Sequence, residues 1–311
     1  MTSQTKKLVT AVESGKKIRF RRWNNMSVSA RIAVIVLLVL ALISALAPLL
    51  APYSASFVDT DAMAAAVKAT RSKESAPSMI HLFGTDSAGR DVLSRLLLGG
   101  KYSMIIGLSA TFIALVIGSI IGSVAAVVRK WISEVIMRIM DIIMAVPGIA
   151  MAAVMVLVFS GIFPPGNRVG LVTVIIIAIA FVYIPQLARI VRANVMSAYG
   201  EDYVRAVIVS GARAPWILTK HVVRNTAAPV LVFATVLVAD AIILEASLTF
   251  IGTGLKSSLV PTWGNVLSDA STNGSINHGA WWTALFPGLL IMITVLCLNI
   301  LSEGITDAMV A

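Results

Sequence analysis

The chain has little of what most enzymes and binding domains are built from. It has a single cysteine, Cys297, and three widely separated histidines, His81, His221 and His278. A disulfide framework or a zinc cluster needs several ligands at defined spacing, so neither fits. Charge is scarce as well: only 13% of the 311 residues are Asp, Glu, Lys or Arg, while 58% are hydrophobic. A mean hydropathy of +0.91 lies outside the range of soluble globular domains. No phosphate-binding loop is present. "GGKY" (Gly99 to Tyr102) and "GSIIGS" (Gly118 to Ser123) lack the spaced glycines and the Lys-Ser/Thr ending that cradle nucleotide phosphates. The chain is therefore read as binding no cofactor and hydrolysing no ATP.

What is abundant is long apolar runs. A hydrocarbon core about 30 Å thick needs about 20 mostly apolar helical residues. Six stretches qualify: 32–51, 104–128, 142–163, 169–188, 227–248 and 284–302. The expected organisation is a basic tail over 1–31, a first span over 32–51, an external loop over 52–103, a five-span core over 104–302 and a tail over 303–311. Ala45-Leu46-Ala47 resembles a cleavage box, but the apolar run before it is too long for a signal peptide, which predicts an uncleaved anchor.

With the N-terminus inside, seventeen Lys and Arg fall on the cytoplasmic side and eight outside. That bias predicts that both termini are cytoplasmic. The net charge of +10 serves topology and anionic lipid rather than nucleic acid. "KKIRFRRWNN" (16–25) suits either a short helix in the headgroup layer or an unstructured basic tail. Outside, "FPPGN" (163–167) reads as a tight turn, and Asp61 to Glu74 as a helix or a flexible excursion. Trp263, Trp281 and Trp282 are expected at the membrane interface.

Between the fourth and fifth runs lies "EDYVRAVIVSGARAPWILTKHVVRN" (201–225), within an inner loop spanning 189–226. Glu201 and Asp202 favour a helix start, and either can reach Arg205. Gly211 can end that helix, and Pro215 suits the first turn of a second one carrying Ile217, Leu218, His221 and Val222. A protruding helix-turn-helix elbow results. Ala206, Val207 and Val209 lie among charges, which fits docking into a groove on another protein and equally fits a helix lying on lipid or on the chain's own spans.

This segment resembles the cytoplasmic loop of bacterial ABC-importer permeases. Aligned on Gly211, Arg205-Ala206-Val207 stands where that family has Glu-Ala-Ala, and only Ala206 and Gly211 match strictly. "FGTDSAGRDVLSRLLLGGKYSMIIG" (83–107), "ILEASLTFIGTG" (243–254), "PTWGNVLSDA" (261–270) and "WWTALFPGLLIMITVLCLNILSEGITDAM" (281–309) resemble, in order, boxes of the C-type permease of peptide importers. The resemblance covers about 80–309. It implies an all-α, six-span, type I permease bundle paired with a second homologous permease. It further implies two cytoplasmic ATPases that hold ATP and Mg, an external binding protein, and a di- or oligopeptide substrate. The elbow residues Glu201, Asp202, Tyr203, Arg205, Ala206, Val207, Gly211, Ala212, Pro215 and His221 would then couple to the ATPase. Importers of nickel or other small solutes share the family. A self-contained secondary transporter or channel is the competing class, and a membrane-embedded enzyme is disfavoured because no catalytic cluster converges at one depth.

Two acids lie inside the fifth run. Asp240 and Glu245 are about 140 degrees apart on a helix and do not share a face. Both are pore candidates: Asp240 is the deeper, while Glu245, nearer the outer surface, is expected rather to make a structural hydrogen bond to a neighbouring span or outer loop. The box Gly84, Thr85, Asp86, Gly89, Arg90, Asp91 reads as an interfacial helix entry or as a rim for an external protein. Within it Asp86 is expected to cap the helix and Asp91 to pair with Arg95. Arg138 is expected to pair with Asp141, Pro147 to kink the third run, and Gly118 with Gly122 to pack in a heterodimeric bundle.

Overall fold

The computed structural model describes residues 26–70, 73–164, 166–212, 214–218, 222–255 and 260–310. The basic stretch 16–25, Lys256, Arg213 and His221 lie outside them. Among the described residues the secondary structure is helical, in the order α1 (Val28–Ala45), α2 (Ala47–Leu50), α3 (Thr60–Thr70), α4 (Val92–Val127), α5 (Lys130–Met144), α6 (Gly148–Ser160), α7 (Arg168–Tyr199), α8 (Asp202–Val209), α9 (Ala214–Ile217), α10 (Val223–Phe250), α11 (Trp263–Thr272) and α12 (Trp282–Val310). Five helices, α1, α4, α7, α10 and α12, are long and apolar enough to cross a membrane unbroken. The third apolar run is a bent pair: α5 and α6 meet at 87°. Pro147 explains the break, because its ring cannot join the preceding turn, and it serves as the N-cap of α6.

The second apolar run, from 104, does not begin a helix of its own. The interfacial helix and the span are one 36-residue helix, α4, roughly 54 Å long. Arg95, expected on the short entry helix, and Lys101 both lie within it. Asn167 caps α7, its Oδ1 accepting from the Gly170 N–H at 3.0 Å, so the tight outer turn leads directly into a helix.

α4 and α7 form the most extensive helix pair. Gly118 and Gly122 make this possible, but against α7 of the same chain rather than across a heterodimer. A Cβ at Gly118 would lie 2.7 Å from Leu187 Cβ, and one at Gly122 would strike the Ala188 carbonyl and stand 2.9 Å from Val191 Cβ. α10 runs through the middle of the bundle, touching α4, α7, α11 and α12, while α1 packs outside on α12 and α4. The main core joins Ile106, Ile175, Ile179, Leu187, Leu237 and Leu248.

α5 packs against α7. Ser133 accepts from Arg192 Nε at 3.0 Å, and Asp141 pairs with Arg189. The expected Arg138–Asp141 pair is therefore replaced by Asp141–Arg189, because α7 brings a cation closer than the same helix does.

Candidate functional site

Three features carry chemistry: the elbow, the two acids of α10, and a polar cap at the opposite end of the bundle.

The elbow begins where α7 ends at Tyr199. α8 holds Asp202 in its first turn, and Gly211, at φ +83°, turns the chain as only glycine does without strain. One face is buried. Val204, Ile217 and Val222 are fully or nearly fully enclosed against Val195 and Ala198, with Val207, Ala212 and Leu218 packed beside them. Asn225 Nδ2 donates to Tyr203 Oη at 2.7 Å and ties α8 to the start of α10. The other face is bare: Val209 is 88% exposed, Trp216 49%, and Tyr203 shares that surface with Asp202, Arg205 and Ala206. Asp202 and Arg205 stand 3.9 Å apart, both exposed, a pair worth little to stability.

The elbow set named from sequence thus divides in two. Val207 and Ala212 serve the chain's own core, whereas Tyr203, Arg205, Ala206 and Glu201 face outward. Pro215 lies in the short helix α9. Trp216 went unnamed from sequence, although a Trp between Pro215 and an apolar pair was the signal available.

The two α10 acids separate as their spacing requires. Glu245 is 1% exposed. Its Oε1 accepts from Thr262 Oγ1 at 2.9 Å and from Thr249 Oγ1 at 3.3 Å, which fastens α10 to the cap of α11. Thr262 itself closes a capping box with Asn265. Asp240 is exposed on the opposite side of α10.

The polar cap uses the charged box differently from the expected way. Asp91, not Asp86, caps α4: its Oδ2 accepts from the Ser94 N–H at 2.7 Å. Asp86 curls onto its own turn, accepting from the Ala88 and Arg90 N–H groups at 2.9 Å. It also pairs with Arg90 and with Arg95, which is 1% exposed, and Asp269 completes the network. Arg95 points to Asp86 and Asp269 because its side chain leaves α4 on the face that meets α11, while Asp91 is engaged by His81 Nδ1 at 2.9 Å. His81 Nε2 in turn reaches Asp59 at 3.2 Å. Backbone hydrogen bonding from Ala62 N–H at 2.8 Å, aided by His81, holds the Asp59 carboxyl below its ordinary range. Gly84 and Gly89 both take positive φ in this turn, and Thr85 Oγ1 accepts from the Ser75 N–H. Trp263 and Trp282 are buried here, donating to the carbonyls of Leu96 and Thr85; only Trp281 is exposed as an interfacial Trp would be. Next to the cap, Leu157, Phe163, Leu171, Gly252 and Leu255 line a cavity of about 430 Å³ at the ends of α6, α7 and α10.

A family model described as binding-protein-dependent transport system inner membrane component matches residues 114–310. The chain belongs to that family. Among its relatives, a glutathione transport system permease protein of Escherichia coli O6:K15:H31 is 36% identical over 94% of this chain and 88% of its own length. A dipeptide transport system permease protein of Alkalihalophilus pseudofirmus is 36% identical over 75% of this chain and 72% of its own. A putative peptide transport system permease protein of Brucella suis biovar 1 is 37% identical over 75% and 74%. The fold resembles a solved inward facing conformation of the MetNI methionine ABC transporter, with a TM-score of 0.55 and 19% identity, over 68% of this chain and 94% of that one. The chain is a multi-pass inner-membrane permease of the peptide-type ABC importers, with the all-helical type I permease fold.

Proposed function

We propose that the chain is one wall of the transmembrane pore of an ATP-driven importer for di- or oligopeptides. It pairs with a second homologous permease, receives substrate from an external binding protein, and is moved by two cytoplasmic ATPases that hold ATP and Mg. The observation that carries this reading is the two-sided elbow. Its inner face is locked to the bundle by Val204, Ile217 and Val222, while its outer face exposes Val209, with parts of Tyr203 and Trp216 beside it. A rigid lever with an apolar tip suits a groove on a water-soluble motor better than a passive loop does.

The orientation follows from the same element. The elbow end is cytoplasmic, with both termini on that side, and the polar cap faces outward. Closure of the ATPases would shift the elbows, and α7 and α10, which flank them in the chain, would tilt against α4 and α12. That alternates access to the path, provided the elbow binds differently in the two motor states. Asp240 lines the path. The box from Gly84 to Asp91 is built as a scaffold, since its charges are satisfied within the cap, and the neighbouring 430 Å³ cavity is the place where a delivered peptide enters.

The test is uptake into vesicles holding the complete transporter and its binding protein. ATP-dependent accumulation of a labelled dipeptide supports the reading. Accumulation by this chain alone under an ion gradient would favour a self-contained transporter. Delivery of nickel instead of peptide would keep the mechanism and change the cargo.

A further inference from the structure

Asp240 is anomalous among the charges of this chain. It lies about 15 Å from the outer end of α10 and about 25 Å from the elbow end, within the depth of a bilayer core. Among the described residues it makes no ion pair and no hydrogen bond, whereas Glu245, five residues on, is enclosed and bonded. Its placement on α10 says where it points. Asn225, Pro229, Asp240, Ile243 and Phe250 recur at helical spacing as the exposed stripe of a helix whose remaining faces meet α4, α7, α11 and α12. An unpaired carboxylate facing lipid would be costly, so the stripe faces water or protein. Among the described residues, the ionisable neighbour its charge acts on is the buried phenol of Tyr183 on α7, which carries no positive charge. The nearest membrane-side cation of α7, Arg189, is engaged by Asp141.

We propose that Asp240 is the counter-charge for a cationic group of the substrate, a point in the translocation path that favours cargo carrying an ammonium or guanidinium over cargo carrying an extra carboxylate. This rests on the pore reading above. Unpaired, with Ile243 and Val236 beside it on its stripe, the carboxylate is open to a passing cation. The attraction need be only modest, since a site that holds too tightly would stall transport.

The experiment uses the complete reconstituted transporter with its binding protein saturated by each of three probes, Ala-Lys-Ala, Ala-Gln-Ala and Ala-Glu-Ala. Asp240→Asn is expected to lower the ratio of lysyl to glutamyl peptide uptake at least tenfold, and Asp240→Lys to invert the preference. Equal losses for all three probes would mean a structural role or an ion pair with the second permease, and would overturn the proposal; so would an unchanged ratio. If the variants fail to assemble, the wild-type transporter answers instead: faster uptake of the lysyl peptide supports the proposal, and equal rates overturn it. Absence of any ATP-dependent uptake by the wild type would remove the pore reading itself, an outcome distinct from ATP-driven uptake without charge preference.

Discussion

The guanidinium of Arg95 lies 3.1 Å from the carboxylate of Asp269, a contact that closes 174 residues of chain. It joins the first turn of α4 to α11 and, through Asp86, to the charged outer turn. With Arg95 1% exposed, the network is a buried one, and removing one partner leaves uncompensated charge behind.

Arg95→Met is therefore expected to cost about 3 kcal/mol, at the low end for a broken buried pair because Arg90 still faces both carboxylates. Thermal unfolding of the detergent-solubilised chain checks this. Adding Asp269→Asn should recover part of the loss; a further fall of the same size would contradict the network.

Gly122→Ala tests the α4–α7 contact. The new methyl would meet the Ala188 carbonyl and Arg192 N at 3.0 Å, both backbone atoms that cannot swing aside. We expect a loss of about 1–3 kcal/mol and slower assembly, as for an overpacked core. A control at Gly288, where nothing lies within 4 Å of the added atom, should lose less than half as much.

The outer loop should loosen in acid. Because the folded-state pKa of Asp59 lies below its unfolded value, near 3.9, its contribution is present above that value and is lost as pH falls through the lower folded one. Hydrogen exchange over Thr60–Thr70 should therefore rise below about pH 4. Asp59→Asn should flatten that dependence, and an identical acid response in the variant would assign it elsewhere.

At the elbow tip, Val209→Asp changes an 88% exposed side chain and should leave the unfolding midpoint of the isolated chain within about 0.5 kcal/mol. ATP-driven uptake should fall at least tenfold, the equivalent of about 1.4 kcal/mol of docking energy. Trp216→Ala should act in the same direction.

Much of this architecture was readable beforehand for simple reasons. Apolar runs of membrane length are local signals, and Pro147 and Gly211 act on the backbone where they stand, so the spans, the break and the turn of the elbow follow from nearby residues. The entry helix was legible, but the partner of Arg95 was not: an i,i+4 pairing with Asp91 is the local guess, whereas Asp269, 174 residues away, and Asp86 of the preceding turn are what it meets. Partners far apart in sequence carry no local mark: Asp141 chooses Arg189 over Arg138, and Gly122 meets Ala188 of its own chain. The inward fate of Val207 and Ala212 was hidden for the same reason, since spacing alone does not say which face of a short helix meets Ile217 and Val222.

The central claim is that the exposed tip of the elbow is held by a separate ATPase. Its most direct test places one cysteine at Val209, in a chain whose buried Cys297 is replaced by serine, and crosslinks the assembled transporter. The account predicts a bond from position 209 to the ATPase whose yield changes when nucleotide is added. Capture of only lipid or of this chain's own helices, with uptake persisting when the ATPase is absent, would contradict it.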